Sequence, residues 1–145
     1  MMVASAAVVS CSSDDDGPSN NGTIEARWNP VKTTVKVGSS STITQNYEGN
    51  EPGCDKDYIE FVDGGVLNRV SSFRDADEIC QTSSASTVAN WSKTDDMVTI
   101  TGDTSYAGTY EVTRLTNSEL RLEEIDNTGG ITTVTTIYFS KAPSN

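Results

Sequence analysis

An all-β fold is what this sequence predicts, and three observations carry the prediction. Val and Ile far outnumber Leu, 13 and 8 against 4, and Thr is abundant. Such β-branched residues lose side-chain freedom on a helix and suit a pleated surface. Apolar and polar residues alternate in short runs without helical periodicity. Clusters of Gly, Asn, Asp and Ser separate those runs at short, even intervals. With 145 residues there is room for one domain. The expectation is an antiparallel meander of about eight to nine short strands, closed as a barrel or packed as a sandwich. Closure is favoured because it removes edges that a chain rich in Val and Thr would expose to pairing.

The elements follow in order. In Thr23–Pro30, Ile24, Ala26 and Trp28 share one face and Glu25 and Arg27 the other, which reads as a half-buried strand. Pro30, lacking an N–H, is expected to break it or place it at an edge. Val31–Val37 alternates again, Gly38–Ser41 is a loop, and Thr42–Tyr47 is a short strand. Gly49–Asp57, with Pro52, Gly53 and Cys54, reads as a loop. Tyr58–Val62 and Val66–Phe73 pair across Asp63-Gly64-Gly65, a strong hairpin signal. Arg74–Ser84 is polar and is read as a connection. Thr87–Ser92 and Met97–Thr101 flank a turn at Thr94-Asp95-Asp96, and Gly102–Ala107 is rich in turn residues. Gly108–Leu115 and Glu119–Ile125 pair across Thr116-Asn117-Ser118. The closing strand, Ile131–Lys141, follows Asn127-Thr128-Gly129-Gly130.

Charge and composition exclude several functions. The chain has no His and a formal charge of -11, so imidazole-dependent triads and zinc sites are ruled out. Nucleic acid is not an expected partner, because its phosphates would be repelled. The acidic groups Asp55, Asp57 and Glu60, then Asp75, Asp77 and Glu78, then Glu123, Glu124 and Asp126 lack the spacing of a calcium loop and read as solvated surface. Neither a Gly-x-Ser-x-Gly elbow nor a Gly-rich phosphate loop is present. The expectation is a protein that is not an enzyme and carries no metal or cofactor.

Residues 1–10 are small or apolar, too few to span a bilayer, and of the length of the apolar region of a signal peptide. Val8-Val9-Ser10-Cys11 resembles the lipobox of bacterial lipoproteins, which implies lipidation of Cys11 and removal of residues 1–10. Several acyl chains on one residue anchor a protein stably. No Lys or Arg precedes Arg27, so Met1 or Met2 is expected to lie inside a longer signal. Residues 11–22 then form a flexible acidic tether. Ser12-Ser13-Asp14-Asp15-Asp16 is similar to the acidic tag that follows the lipid cysteine in one group of Gram-negative bacteria. That points to the outer membrane, with cell-surface exposure and a periplasm-facing protein as the two orientations.

Two cysteines remain, Cys54 and Cys80. In an extracytoplasmic compartment they are expected to form a disulfide, with two free thiols or half of a metal site as the alternatives.

Several pieces together resemble the lipocalin-like domain of small bacterial lipoproteins. They are Ile24-x-Ala26-x-Trp28 on the opening strand, cysteines on either side of the Asp63-Gly64-Gly65 hairpin, and Asn90-Trp91-Ser92 before Val98-x-Ile100. Tyr110-x-Val112-x-x-Leu115 with Leu120-x-Leu122 follows, and Ile137-Tyr138-Phe139 ends at Lys141. The resemblance spans most of residues 23–141 and leaves 142–145 as a tail. Ala26 stands where lipocalins carry glycine, and Lys141 is the candidate for the basic residue that packs on the tryptophan. The resemblance implies an eight-stranded barrel that its own side chains fill or that holds one small ligand.

The candidate ligand-binding residues are Trp28, Trp91, Tyr110, Leu120, Leu122 and Tyr138; for the two tryptophans, plugging the core is the alternative role. Tyr138 and Phe139 must face opposite ways, so only one points inward. The expected function is binding of a small apolar or amphipathic molecule by a membrane-anchored barrel. The alternative is a structural or protein-interaction module with a filled barrel. Thr on both faces of the closing strand favours interior space.

Overall fold

The computed structural model describes residues 21–143. Ten strands form one sheet: β1 (Arg27–Val37), β2 (Ile43–Asn46), β3 (Tyr58–Val62), β4 (Val66–Arg74), β5 (Cys80–Ser84), β6 (Ala89–Thr94), β7 (Met97–Thr101), β8 (Gly108–Leu115), β9 (Glu119–Asp126) and β10 (Thr133–Lys141). Every pairing is antiparallel. Neighbours run β1-β3-β4-β6-β7-β8-β9-β10, and β10 returns to β1. Eight strands therefore close an antiparallel barrel, as the meander pattern predicts. The other two lie alongside: β2 extends the β3 edge of β1, and β5 extends the β6 edge of β4.

Two sequence expectations need correction. Pro30 neither ends a strand nor lies at an edge, because β1 runs unbroken from Arg27 to Val37. The missing N–H is accommodated by a bulge: the register with β10 shifts between Pro30 and Lys32. The same stretch of β1 is where its other neighbour changes from β3 to β2, so no ladder bond is required there. The extra residue, Val31, offers its carbonyl to Tyr47 N–H at 2.9 Å. The second correction is β5, which lies inside the polar stretch read as a connection. All five of its residues are exposed, so it has no apolar alternation, and β4 alone templates it.

The registers place the β3–β4, β6–β7 and β8–β9 turns at one end and the β1–β2, β4–β5, β7–β8 and β9–β10 connections at the opposite end, with β2–β3 and β5–β6 joined partway along the wall. At the first end, Asp63-Gly64-Gly65 makes the predicted tight turn, with Gly64 and Gly65 at φ 94° and 91°, a region that disfavours a side chain. The segment before β1 crosses this end. Gly22 passes so near Thr116 that a Cβ would sit 2.4 Å from its carbonyl oxygen, and Ile24 enters the core. This end is sealed.

Period-two alternation turns Trp28 and Pro30 of β1, Ile59 and Phe61 of β3, Val98 and Ile100 of β7, Tyr110 and Val112 of β8, Leu120 and Leu122 of β9 and Phe139 of β10 inward. Their apolar members make one continuous core, filling the sealed half of the barrel with side chains almost wholly removed from water.

Candidate functional site

The opposite half is less tightly filled. A cavity of about 200 Å³ lies there, with Pro30, Thr33, Gln45, Tyr47, Tyr106 and Ile137 in its wall. Each reaches it for a local reason. After the bulge, β1 turns Thr33 inward, opposite Ile137 of β10. Gln45 is paired with Thr33 across the β1–β2 ribbon and shares its face. Tyr47 is held just past β2 by its bond to the bulged Val31. Tyr106 comes from the β7–β8 connection and lays its ring on Phe139, centroids 5.8 Å apart, so it forms the cavity floor above the packed core.

Two buried carboxylates position the tyrosines. Asp57 accepts a 2.6 Å hydrogen bond from the Tyr47 hydroxyl and a 2.8 Å bond from Ser72 N–H. Its own N–H donates to Asn50 Oδ1, and its carbonyl accepts from Asn29 Nδ2. The solvated-surface reading of Asp57 is therefore corrected: it is 4% exposed. Burial, and then the hydrogen bond to Asp57, push the Tyr47 phenol well above its ordinary pKa. Asp103 is 3% exposed. Its Oδ1 accepts from Ser105 and Tyr106 N–H, both at 2.8 Å, and its Oδ2 lies 2.9 Å from Arg69 Nε. That Asp-centred turn places the Tyr106 ring. Burial pushes Tyr106 up to about 12, so its phenol is protonated at neutral pH. The Tyr106 hydroxyl makes no hydrogen bond among the described residues, whereas those of Tyr47 and Tyr110 donate to Asp57 and to the Tyr106 carbonyl. The cavity wall thus mixes apolar surface from Pro30 and Ile137 with polar side chains, among them Thr33, Gln45 and the Tyr106 phenol, that make no hydrogen bond among the described residues.

Asp103 leads to a pH prediction. Burial alone would raise its pKa, but Arg69 and the two backbone N–H groups outweigh burial and hold it below the usual carboxylate range. A carboxylate with a depressed folded pKa stabilises above its unfolded pKa of about 3.9, and that stabilisation is lost as pH falls through the folded value. Asp103→Asn keeps an oxygen for the turn but loses the ion pair. We expect it to cost about 2–3 kcal/mol at pH 7, below the usual range for a fully buried pair because Arg69 is partly exposed. Urea unfolding at pH 7 and pH 3 checks this: the gap between wild type and variant should narrow at pH 3. An undiminished gap would show that ionisation of Asp103 does not matter.

The sequence-predicted residues fall elsewhere. Trp28 is fully buried at the sealed end, donating from Nε1 to the Ile24 carbonyl at 2.9 Å. Trp91 sits at the same end, edge-on to Phe61 with centroids 5.3 Å apart, and donates to the Val62 carbonyl. Tyr110, Leu120 and Leu122 belong to the packed core. Tyr138 lies on the outer wall between Lys32 and Arg121, whose charges stand 4.7 and 5.0 Å from its ring centre, while Phe139 takes the inward position. None of the six lines the mouth cavity. Lys141 pairs with Trp28 through the strand ladder but makes no cation–π contact with it among the described residues. Cys54 and Cys80 form a disulfide. Cys11, the predicted lipidation site, lies outside the described residues. Of the residues that do line the cavity, Ile137 was within reach of sequence reasoning, since it shares a face with Phe139. Tyr47 was also within reach, since it ends the predicted Thr42–Tyr47 strand on the face of Gln45, whereas Tyr106 lies in a turn-rich connection and gave no signal.

A closed antiparallel barrel of eight strands, sealed at one end and open at the other, belongs to the class whose interior is either filled or holds one small ligand. The chain is a member of the lipocalin-like domain family, whose model matches residues 24–122. The remainder of β9 and all of β10, beyond the match, complete the barrel. Similar solved structures include apocrustacyanin C2 and apocrustacyanin C1, each 14% identical with a TM-score of 0.48. Each comparison covers 86% of this chain, which spans only 64% of the crustacyanin chain. A search of curated proteins found no significant match.

Proposed function

We propose that this protein is a non-catalytic lipoprotein, anchored by lipid on Cys11, whose barrel mouth binds a small apolar or amphipathic molecule. The observation that carries the binding reading is the uncommitted Tyr106 phenol on the floor of a cavity walled by both apolar and polar side chains. Sites for small molecules combine apolar walls with a few placed polar groups. At about 200 Å³ the cavity is smaller than the 300–1,000 Å³ of drug-sized sites, so the ligand is small or projects from the mouth.

The anchor rests on the apolar run ending at Ser10-Cys11 and the acidic tether after it. These support an outer-membrane address with residues 1–10 removed, 11–22 as tether and 23–141 as barrel. The chain enters the barrel at its sealed end, so a tether there leaves the mouth unobstructed. A second reading, a structural or interaction module with a filled barrel, is favoured by the complete packing of the sealed half.

Native and then denaturing mass spectrometry of the full chain tests the binding reading. An adduct of a few hundred daltons is expected in the native spectrum alone, and Tyr106→Phe should lose it with little change in melting temperature. A bare native mass, or an adduct indifferent to that substitution, would favour the filled barrel. Fatty-acid labelling of wild type against Cys11→Ala tests the anchor, and label retained by the variant would refute it.

A further inference from the structure

A concavity larger than the mouth cavity lies outside the barrel. It is a groove of about 560 Å³ across the outer faces of β10, β1, β3, β4 and β5, bounded by the disulfide loop and the residues after β10. Its charge differs from that of the chain as a whole. Arg27, Lys56 and Lys141 line it, against one lining carboxylate, Asp55, in a protein with 21 acidic and 10 basic residues.

How those cations are partnered matters more than their number. All five arginines lie within salt-bridge distance of a carboxylate. Lys32 rests on Tyr138, and Lys93 donates to the Asp95 carbonyl. Lys36, Lys56 and Lys141 have no ion pair, side-chain hydrogen bond or ring contact among the described residues, and of these three Lys56 and Lys141 line the groove. Between them, Arg27 pairs with Glu60 at 2.9 Å and stacks its guanidinium 4.8 Å from the Tyr58 ring centre. Tyr58 also lines the groove, so a flat apolar surface lies beside two uncommitted ammonium groups. The Ser72 and Thr82 hydroxyls on the far wall make no side-chain hydrogen bond among the described residues. At physiological salt the Debye length is about 8 Å. Distant acids are then screened, and a ligand in the groove responds chiefly to the nearby charges, Arg27, Lys56 and Lys141 against Asp55 and the Glu60 paired with Arg27.

We propose that this outer groove is a second binding site, separate from the barrel mouth, for small organic anions with a carboxylate head and a planar apolar body. The head is held by Lys56 and Lys141, and the body lies along the Tyr58–Arg27 stack.

The test is an NMR titration of the full chain, ¹⁵N-labelled, with benzoate and, separately, its neutral analogue benzamide. Benzoate should shift the amides of Lys56, Thr82 and Lys141 saturably, and benzamide should not. Lys56→Gln combined with Lys141→Gln should weaken benzoate about tenfold, with the rest of the spectrum and the melting temperature unchanged. Four results would each overturn the proposal: no saturable shift, equal response to benzamide, shifts confined to Tyr47, Tyr106 and Ile137 at the mouth, or unaltered affinity in the double variant.

Discussion

Trp28→Ala is expected to lower the unfolding free energy by about 5 kcal/mol. The side chain is fully buried among Ile24, Ile59 and Phe139 in the sealed half of the barrel. Large-to-small substitution of a buried aromatic costs about 3–5 kcal/mol, because transfer free energy is lost and a cavity remains. The upper end applies here for two reasons. The barrel wall is a continuous hydrogen-bonded ladder that cannot collapse into the space, and the Ile24 carbonyl loses the indole N–H that it accepts at 2.9 Å. Since domains are stable by only about 5–15 kcal/mol in all, the variant should be close to unfolding at 25 °C. Trp28→Phe should lose roughly half as much. Urea unfolding followed by far-ultraviolet circular dichroism measures both. A loss under 2 kcal/mol for Trp28→Ala would mean that the sealed end does not depend on this residue.

Removing the Cys54–Cys80 bridge should cost about 3–4 kcal/mol. The two residues are 26 apart in sequence, and a cross-link closing a loop of that length restricts the unfolded chain by about that amount in the chain-entropy model. For a domain of this size the loss corresponds to a melting temperature lower by roughly 10–15 °C. The double variant Cys54→Ala/Cys80→Ala and the wild type under reductant should agree. There is a local consequence as well. The bridge ties the loop that supplies Tyr47, Asn50 and Asp57 to the start of β5, beside the Arg74 contacts with Glu51 and the Pro52 carbonyl and the bonds of Asp57 to Ser72 and Asn29. Reduction should therefore loosen the mouth before the barrel melts, raising hydrogen exchange at Asp57 and Ser72 while Leu120 and Leu122 stay protected. Uniform loss of protection would show that bridge and barrel form one cooperative unit.

What the sequence made legible, and what it hid, can be told residue by residue. Asp63-Gly64-Gly65 announced its hairpin because a tight turn needs positive φ, which glycine alone supplies freely. Alternation in Thr23–Pro30 put Ile24, Ala26 and Trp28 on one face, and that face meets the core, since a strand with one buried face writes that face into every second residue. The all-β class, closure into a barrel and the partnership of Cys54 with Cys80 were within reach for similar reasons: β-branching, turn spacing and cysteine count are local or compositional signals.

Three features were not legible. Pro30 stands inside a strand because β1 bulges where its neighbour changes from β3 to β2, and no local preference records the position of a neighbour. Strand β5 is polar throughout and exists because β4 lies beside it. Asp57 and Asp103 look like any acidic surface residue in the sequence, yet both are buried, because Asn29, Ser72 and Arg69 come from strands 15 to 34 residues away to meet them. The same holds for the floor of the candidate site. The aromatic residues that strand periodicity marks as inward are those that fill the core, whereas Tyr106 lies in a connection and is aimed by a carboxylate. By itself the sequence determined the all-β class, the buried face of the opening segment and the covalent staple, all set by local or compositional signals. Only the tertiary structure decided where the barrel remains open and which groups face that space, because a cavity is what packing leaves unfilled and depends on every wall at once.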